Sequence, residues 1–85
     1  MSQFIKRPEV NSKTHNVRKP RDIGDVIKVA RERARLNQAE LANEVGIDRF
    51  YLGRMESGVS NEYLDRLLRI LKSLGITMSL TLPDD

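Results

Sequence analysis

The feature that most constrains this 85-residue chain is the punctuation between Asn37 and Gly58. Asn37 suits a helix N-cap, and Glu40, three residues on, suits the reciprocal partner of a capping box. A short helix is predicted over Gln38–Val45, with Ala39, Leu41, Ala42 and Val45 contributing its buried face. Gly46 falls where a residue with positive φ stops a helix, a conformation glycine adopts without steric cost. One residue later Asp48 offers a second N-cap. A second short helix is predicted from Arg49 to about Ser57, with Leu52 and Met55 inward and Gly58 ending it. Ala42 is small where the two helices meet, and Ile47 and Leu52 lock the second against the first.

The flanks extend the pattern. Ile23, Ile27, Ala30 and Ala34 recur at i, i+4, i+7 and i+11, one face of an earlier helix. Asp22 or Asp25 suits its first turn and Arg33 and Arg35 its last, and Leu36 closes the core side. A fourth helix is predicted after Ser60 or Asn61 and runs to Leu74. Leu64, Leu67, Leu68, Leu71 and Leu74 form its apolar stripe, Ile70 adds width, and Gly75 terminates it. The period then switches to two: Ile76, Met78, Leu80 and Leu82 alternate with Thr77, Ser79 and Thr81, which predicts one β-strand ended by Pro83 and Asp84–Asp85. The fold class is mainly α, four helices followed by a strand.

Charge divides the chain differently. Residues 1–21 hold six basic groups against Glu9, and the remainder is slightly acidic, within a net charge of +3. Pro8, Pro20, Asn11, Ser12 and Asn16 argue against a helix in that basic arm, while Phe4, Ile5 and Val10 suit a short extended stretch. The organisation expected is an arm over 1–21, a helical domain over 22–75 and a strand with an acidic tail over 76–85. The arm either seeks phosphate or is a solvated leader. A domain this small buries only about 60% of its unfolded surface. With no cysteine to staple it, association of copies is the remaining source of buried area. No apolar run reaches the roughly 20 residues of a membrane span, and the N-terminus is too polar for a secretory signal. A cytoplasmic protein is expected.

Two short helices joined by a tight glycine turn make a helix-turn-helix. The run Leu36-Asn37-Gln38-Ala39-Glu40-Leu41-Ala42-Asn43-Glu44-Val45-Gly46-Ile47-Asp48-Arg49, continued by Leu52-Gly53-Arg54-Met55-Glu56-Ser57-Gly58, resembles the Cro/repressor-type (XRE) family. Its pattern is roughly L-T-Q-x-x-L-A-x-x-x-G-[VI]-S-x-x-x-[IL]-S-x-[IM]-E-x-G. Here Asn37 replaces Thr, Asp48 replaces Ser and Gly53 replaces Ser. The first two keep capping chemistry, whereas Gly53 weakens its helix by up to about 1 kcal/mol relative to Ala and leaves room for closer approach to DNA. Ile23-Gly24, Ile27 and Arg31 match the family's first helix, and Leu67–Gly75 its fourth. The resemblance implies a lambda-repressor-like domain and places the third helix in the major groove of double-stranded DNA.

The candidate DNA-binding residues are Asn37, Gln38, Arg49, Phe50, Tyr51, Gly53, Arg54, Ser57 and Asn61. Arginine can bridge O6 and N7 of guanine, so Arg49 and Arg54 lead; each is otherwise a solvated charge. Phe50 suits a thymine methyl and Tyr51 a phosphate, or one of them packs into the core or a dimer seam. Gln38 and Asn37 offer donors at a helix N-terminus, or Gln38 is a plain first-turn residue. Asn61 and Ser60 are weaker phosphate candidates. Arg18, Lys19 and Arg21 suit the DNA backbone or minor groove. By the resemblance, Arg31 and Glu56 form a structural ion pair between the first and third helices rather than a DNA contact.

The ending narrows the resemblance. A fourth helix running into Ser73-Leu74-Gly75-Ile76-Thr77-Met78-Ser79-Leu80-Thr81-Leu82 is similar to HipB-type antitoxins, which implies a HipA-like kinase toxin as partner and an autoregulated operon. A lone strand leaves its backbone groups unpaired, so its expected partner is the same strand of a second copy, with Met78, Leu80 and Leu82 as dimerisation residues. That homodimer would read a palindromic operator. The competing pairing is with Phe4–Val10 in the same chain. Two other functions stay open: a toxin neutraliser with little specific DNA binding, and a free-standing phage-type repressor. His15 has no companions for metal binding. No Ser/His/Asp set or phosphate-cradling glycine loop is present, so no enzyme activity, cofactor, metal or small-molecule substrate is expected.

Overall fold

The computed structural model describes residues 14–59 and 61–83. Along the chain these form β1 (Thr14–Val17), α1 (Pro20–Arg33), α2 (Gln38–Val45), α3 (Arg49–Glu56), α4 (Glu62–Ser73) and β2 (Met78–Thr81). Helix α1 opens on Pro20, whose missing N–H has no partner to lose in a first turn. The Asp22 carboxylate reaches back to accept from the backbone N–H groups of Arg18 and Lys19, at 2.8 and 3.0 Å. The bond from Arg18, foremost, holds Asp22 below its ordinary carboxyl range.

The segment expected to be a helix-free arm through residue 21 therefore ends in β1 and the first turn of α1. Pro20 reads as a breaker in sequence but starts a helix here. Strand β1 escapes a sequence reading because Thr14, His15 and Asn16 are exposed and only Val17 is buried. It pairs antiparallel with β2, Val17 opposite Met78 and Thr14 opposite Thr81. The expected strand is present, and among the described residues it pairs within its own chain, with Thr14–Val17 rather than Phe4–Val10 as its described neighbour. The latter segment, and Ser60, lie outside the described residues.

The pairing also turns the proposed dimerisation side chains inward. Met78 and Leu80 are half-buried and Leu82 is buried, while Ser79 and Thr81 face out. The core comprises Val17, Ala42, Leu52, Leu68 and Leu82. Helix α1 packs chiefly on α3 and β1, and α2 packs on α3. At Gly24 the backbones of α1 and α3 come so close that a Cβ would overlap the Met55 carbonyl and stand 2.7 Å from that of Glu56. Several predicted core positions lie farther out: Ala34, Ala39 and Val45 are exposed, and Met55 sits at the rim. Of the α4 stripe, Leu68 is buried and Leu64 and Leu71 are half-buried, whereas Leu67, Ile70 and Leu74 point away from the core. The apolar face of α4 is wider than the floor beneath it.

Candidate nucleic-acid interface

Both short helices begin with satisfied caps. Asn37 Oδ1 accepts from the Glu40 N–H, and Glu40 Oε1 accepts from the Asn37 N–H, each at 2.8 Å. Gly46, at φ 79°, ends α2, and the N–H groups of Gly46 and Ile47 both donate to the Ala42 carbonyl. Asp48 then caps α3, its Oδ1 accepting from Phe50 and Tyr51 N–H at 2.7 and 3.3 Å. Leu52 and Ala42, both buried, belong to the packed seam between the helices.

A polar hub fixes α3 from behind. Arg31 Nε and one terminal nitrogen donate to the two Glu56 oxygens at 2.7 and 3.0 Å, a bidentate fork. The other terminal nitrogen donates to the Leu36 carbonyl at 2.8 Å. Gln38 Nε2 completes the hub by donating to Glu56 Oε1 at 3.1 Å. The Arg31 bonds are the main reason the Glu56 carboxyl lies below its ordinary value, opposed by burial and helped by Gln38. The same bonds raise Arg31. One buried carboxylate thus ties α1, the α1–α2 connection, the start of α2 and the end of α3 together.

The outward face of α3 carries no unneutralised acid: its sole carboxylate is Glu56, inside. What it presents is Arg49, Phe50, Tyr51 and Arg54, all exposed, with Phe50 67% accessible. The Arg49 guanidinium lies 4.9 Å from the Phe50 ring centre and that of Arg54 5.8 Å from Tyr51. Arginines held against rings keep their planar forks available at low entropic cost. Neither aromatic packs into the core. This surface can donate hydrogen bonds, neutralise phosphate and offer an apolar patch at once.

The remaining predicted site residues divide. Asn37, Ser57 and Asn61 are exposed, but Asn37 and Asn61 use Oδ1 as caps and the Ser57 hydroxyl donates to the Arg54 carbonyl. Gln38 is half-buried in the hub. Gly53 faces Gln38, whose Oε1 lies 3.4 Å from where a Cβ would be. Arg18, Lys19 and Arg21 are exposed, and Arg21 passes beside Gly58 at the end of α3, which gathers it with that helix. Sequence reasoning missed the Gln38 bond and the Gly24 crossing. The available signal was a polar amide at the start of α2 and a glycine within a helix that has no turn to make.

Fold and surface together define a helix-turn-helix DNA-binding protein. The chain belongs to the helix-turn-helix family, whose model matches residues 27–80, from within α1 to β2. It is similar to an uncharacterized HTH-type transcriptional regulator, y4mF, of Sinorhizobium fredii, at 26% identity over 69 residues covering 81% of this chain and 91% of that protein. No solved structure matches the chain significantly. No helix among the described residues is long and apolar enough to cross a membrane.

Proposed function

We propose that the protein is a sequence-specific transcriptional repressor that binds a palindromic operator as a homodimer, with α3 of each copy in a major groove. The observation carrying this reading is the exposed Arg49–Phe50–Tyr51–Arg54 face, backed by a hub that neutralises the only acid in the helix. Arg49 and Arg54 read guanine edges or phosphate, Phe50 meets a thymine methyl, and Tyr51 and Asn37 contact the backbone. Gln38 contributes through the way it holds Glu56 and through the free half of its amide. Arg18, Lys19 and Arg21 follow the DNA backbone.

Dimerisation is supported by the outward stripe of α4. Tyr63, Leu67, Ile70 and Leu74 are spaced at i, i+4, i+7 and i+11, with Tyr63 and Leu74 79% and 67% accessible. Such a stripe in a small domain marks an association surface. The strand that follows α4 supports a finer reading, a HipB-like antitoxin that represses its own operon and binds a HipA-like kinase.

The test is fluorescence anisotropy of the full chain on its own upstream DNA, across a salt series, with Arg49→Ala alongside. Tight binding that weakens steeply with salt, and a variant that loses roughly tenfold or more together with its sequence preference, is the expected result. No preference over random duplex would overturn the repressor reading and favour the toxin neutraliser. For the antitoxin reading, the expected result is a complex with the kinase encoded beside this gene. The absence of such a kinase gene would leave the free-standing repressor.

A further inference from the structure

Behind the DNA-reading surface, the sheet and the C-terminal half of α4 do not close on each other. They leave a cavity of about 300 Å³ between Val17, Leu68, Leu71, Ile76 and Met78, flanked by Arg18 and Lys72. The walls come from three separate elements: the end of β1, the inner face of α4, and the turn into β2. Val17 and Leu68 are buried and Leu71 and Met78 half-buried, so the floor is built of core side chains. Arg18 and Lys72 are exposed, and neither side chain is hydrogen-bonded or ion-paired to another described residue. The Arg18 backbone N–H donates to Asp22, and the Asp22 carboxylate also attracts the Arg18 guanidinium at longer range without forming an ion pair with it.

We infer that this cavity is a binding site for an amphipathic monoanion, a short alkyl chain ending in a carboxylate. The chain would lie on Val17, Leu71 and Met78 and the carboxylate would sit between Arg18 and Lys72. At about 30 Å³ per water-sized group, the volume takes roughly ten heavy atoms, the size of octanoate. Apolar walls with a few convergent polar groups are what small-molecule pockets share. Two cations beside an apolar slot select against neutral and cationic ligands. The site uses no residue of α2 or α3, so it stands whether or not the protein represses transcription. A bound ligand would occupy Arg18, taking it away from DNA phosphate, and would brace β1 against α4. Its effect would be that of a negative effector.

The probe is octanoate, titrated into the full-length protein and followed by amide chemical shifts, beside 1-octanol and acetate. Saturable shifts at Val17, Leu68, Leu71 and Met78 are expected with octanoate, with α3 unmoved. Each methylene removed should weaken binding about fourfold, and acetate should not bind. Octanol should bind at least tenfold more weakly, and so should octanoate to Arg18→Gln/Lys72→Gln, whose unchanged remaining spectrum reports an intact fold. Equal binding of octanol and octanoate, equal binding by the double variant, or shifts scattered over the α4 stripe would each overturn the assignment. So would an octanoate site that opens only on dilution, because a second copy would then be the natural occupant.

Discussion

The front and back of this domain solve the same shortage of core in different ways. In the α2–α3 unit the apolar seam is small, Ala42 and Leu52, and geometry is enforced by polar groups: two N-caps and the Arg31–Glu56–Gln38 hub. In the α4–sheet unit the polar groups are few and the apolar surface is in excess. Tyr63, Ile70, Leu74 and Ile76 remain outside, and a cavity remains within. Hydrogen bonds are directional and demand complete partners, so the front's geometry is set by groups it already contains. Apolar burial is non-directional and additive, so the back can be completed by whatever adds area. The front holds its shape through its own polar groups; the back leaves apolar surface uncovered among the described residues, as the proposed association requires.

Removing the hub is the strongest way to break that contrast. Glu56→Ala removes the buried carboxylate and orphans a half-buried Arg31, and a loss of about 3–5 kcal/mol is expected in thermal or urea unfolding. A loss under about 1 kcal/mol would mean the front is held by its apolar seam after all. The same residue sets an acid limit. Because Glu56 is depressed in the folded state, its contribution is present above the ordinary value of 4.5 and is lost as pH falls through the lower folded value. Stability of the parent should fall as pH drops below about 4.5. Glu56→Ala should flatten much of that slope, leaving a residue from Asp22, which is also depressed.

Gly24→Ala attacks the crossing of α1 and α3 from the other side. The added methyl meets backbone carbonyls, which cannot swing away as a side chain would. Overpacking of about 1–3 kcal/mol is expected, near the upper end. A neutral result in unfolding would show that the helices slide apart freely and that the hub alone sets their spacing.

These two sites show what the sequence could and could not disclose. Caps and turns were legible because Asn37, Glu40, Gly46 and Asp48 act on groups within a few residues of themselves. The Arg31–Glu56 pair was legible through resemblance, since 25 residues separate its members and no local rule connects them. Strand β1 was illegible because His15 and Asn16 carry no alternation; only the partner strand makes Thr14–Val17 a strand. Gly24 was visible as a match but silent about its reason, a contact between backbones. Sequence alone leaves Phe50 and Tyr51 open between surface and core, and packing puts both outside because the space behind α3 is already filled by Leu52 and the hub.

The back is probed by Ile70→Asp combined with Leu74→Asp. Both side chains are exposed, so the stability of dilute protein should change by no more than about 0.5 kcal/mol. What should vanish is the dependence of the melting temperature on concentration that the proposed dimer would give the parent, together with that dimer's peak in sedimentation. A dimer that survives both charges would shift the seam to the free edge of β2. A collapse of dilute stability would mean that α4 already finishes the fold.

The smallest effect separates two uses of one residue. Gly53 lies within α3, where glycine is about 1 kcal/mol less favourable than alanine. A Cβ there would stand 3.4 Å from Gln38 Oε1, an ordinary contact with the end of a flexible side chain. Gly53→Ala should therefore raise stability by about 0.5–1 kcal/mol in urea unfolding. If the glycine serves only the seam with α2, operator affinity in the same variant stays within about twofold. If its bareness lets α3 seat deeper in the groove, stability rises while affinity falls tenfold or more, and the front would then include a position kept weak for the sake of DNA.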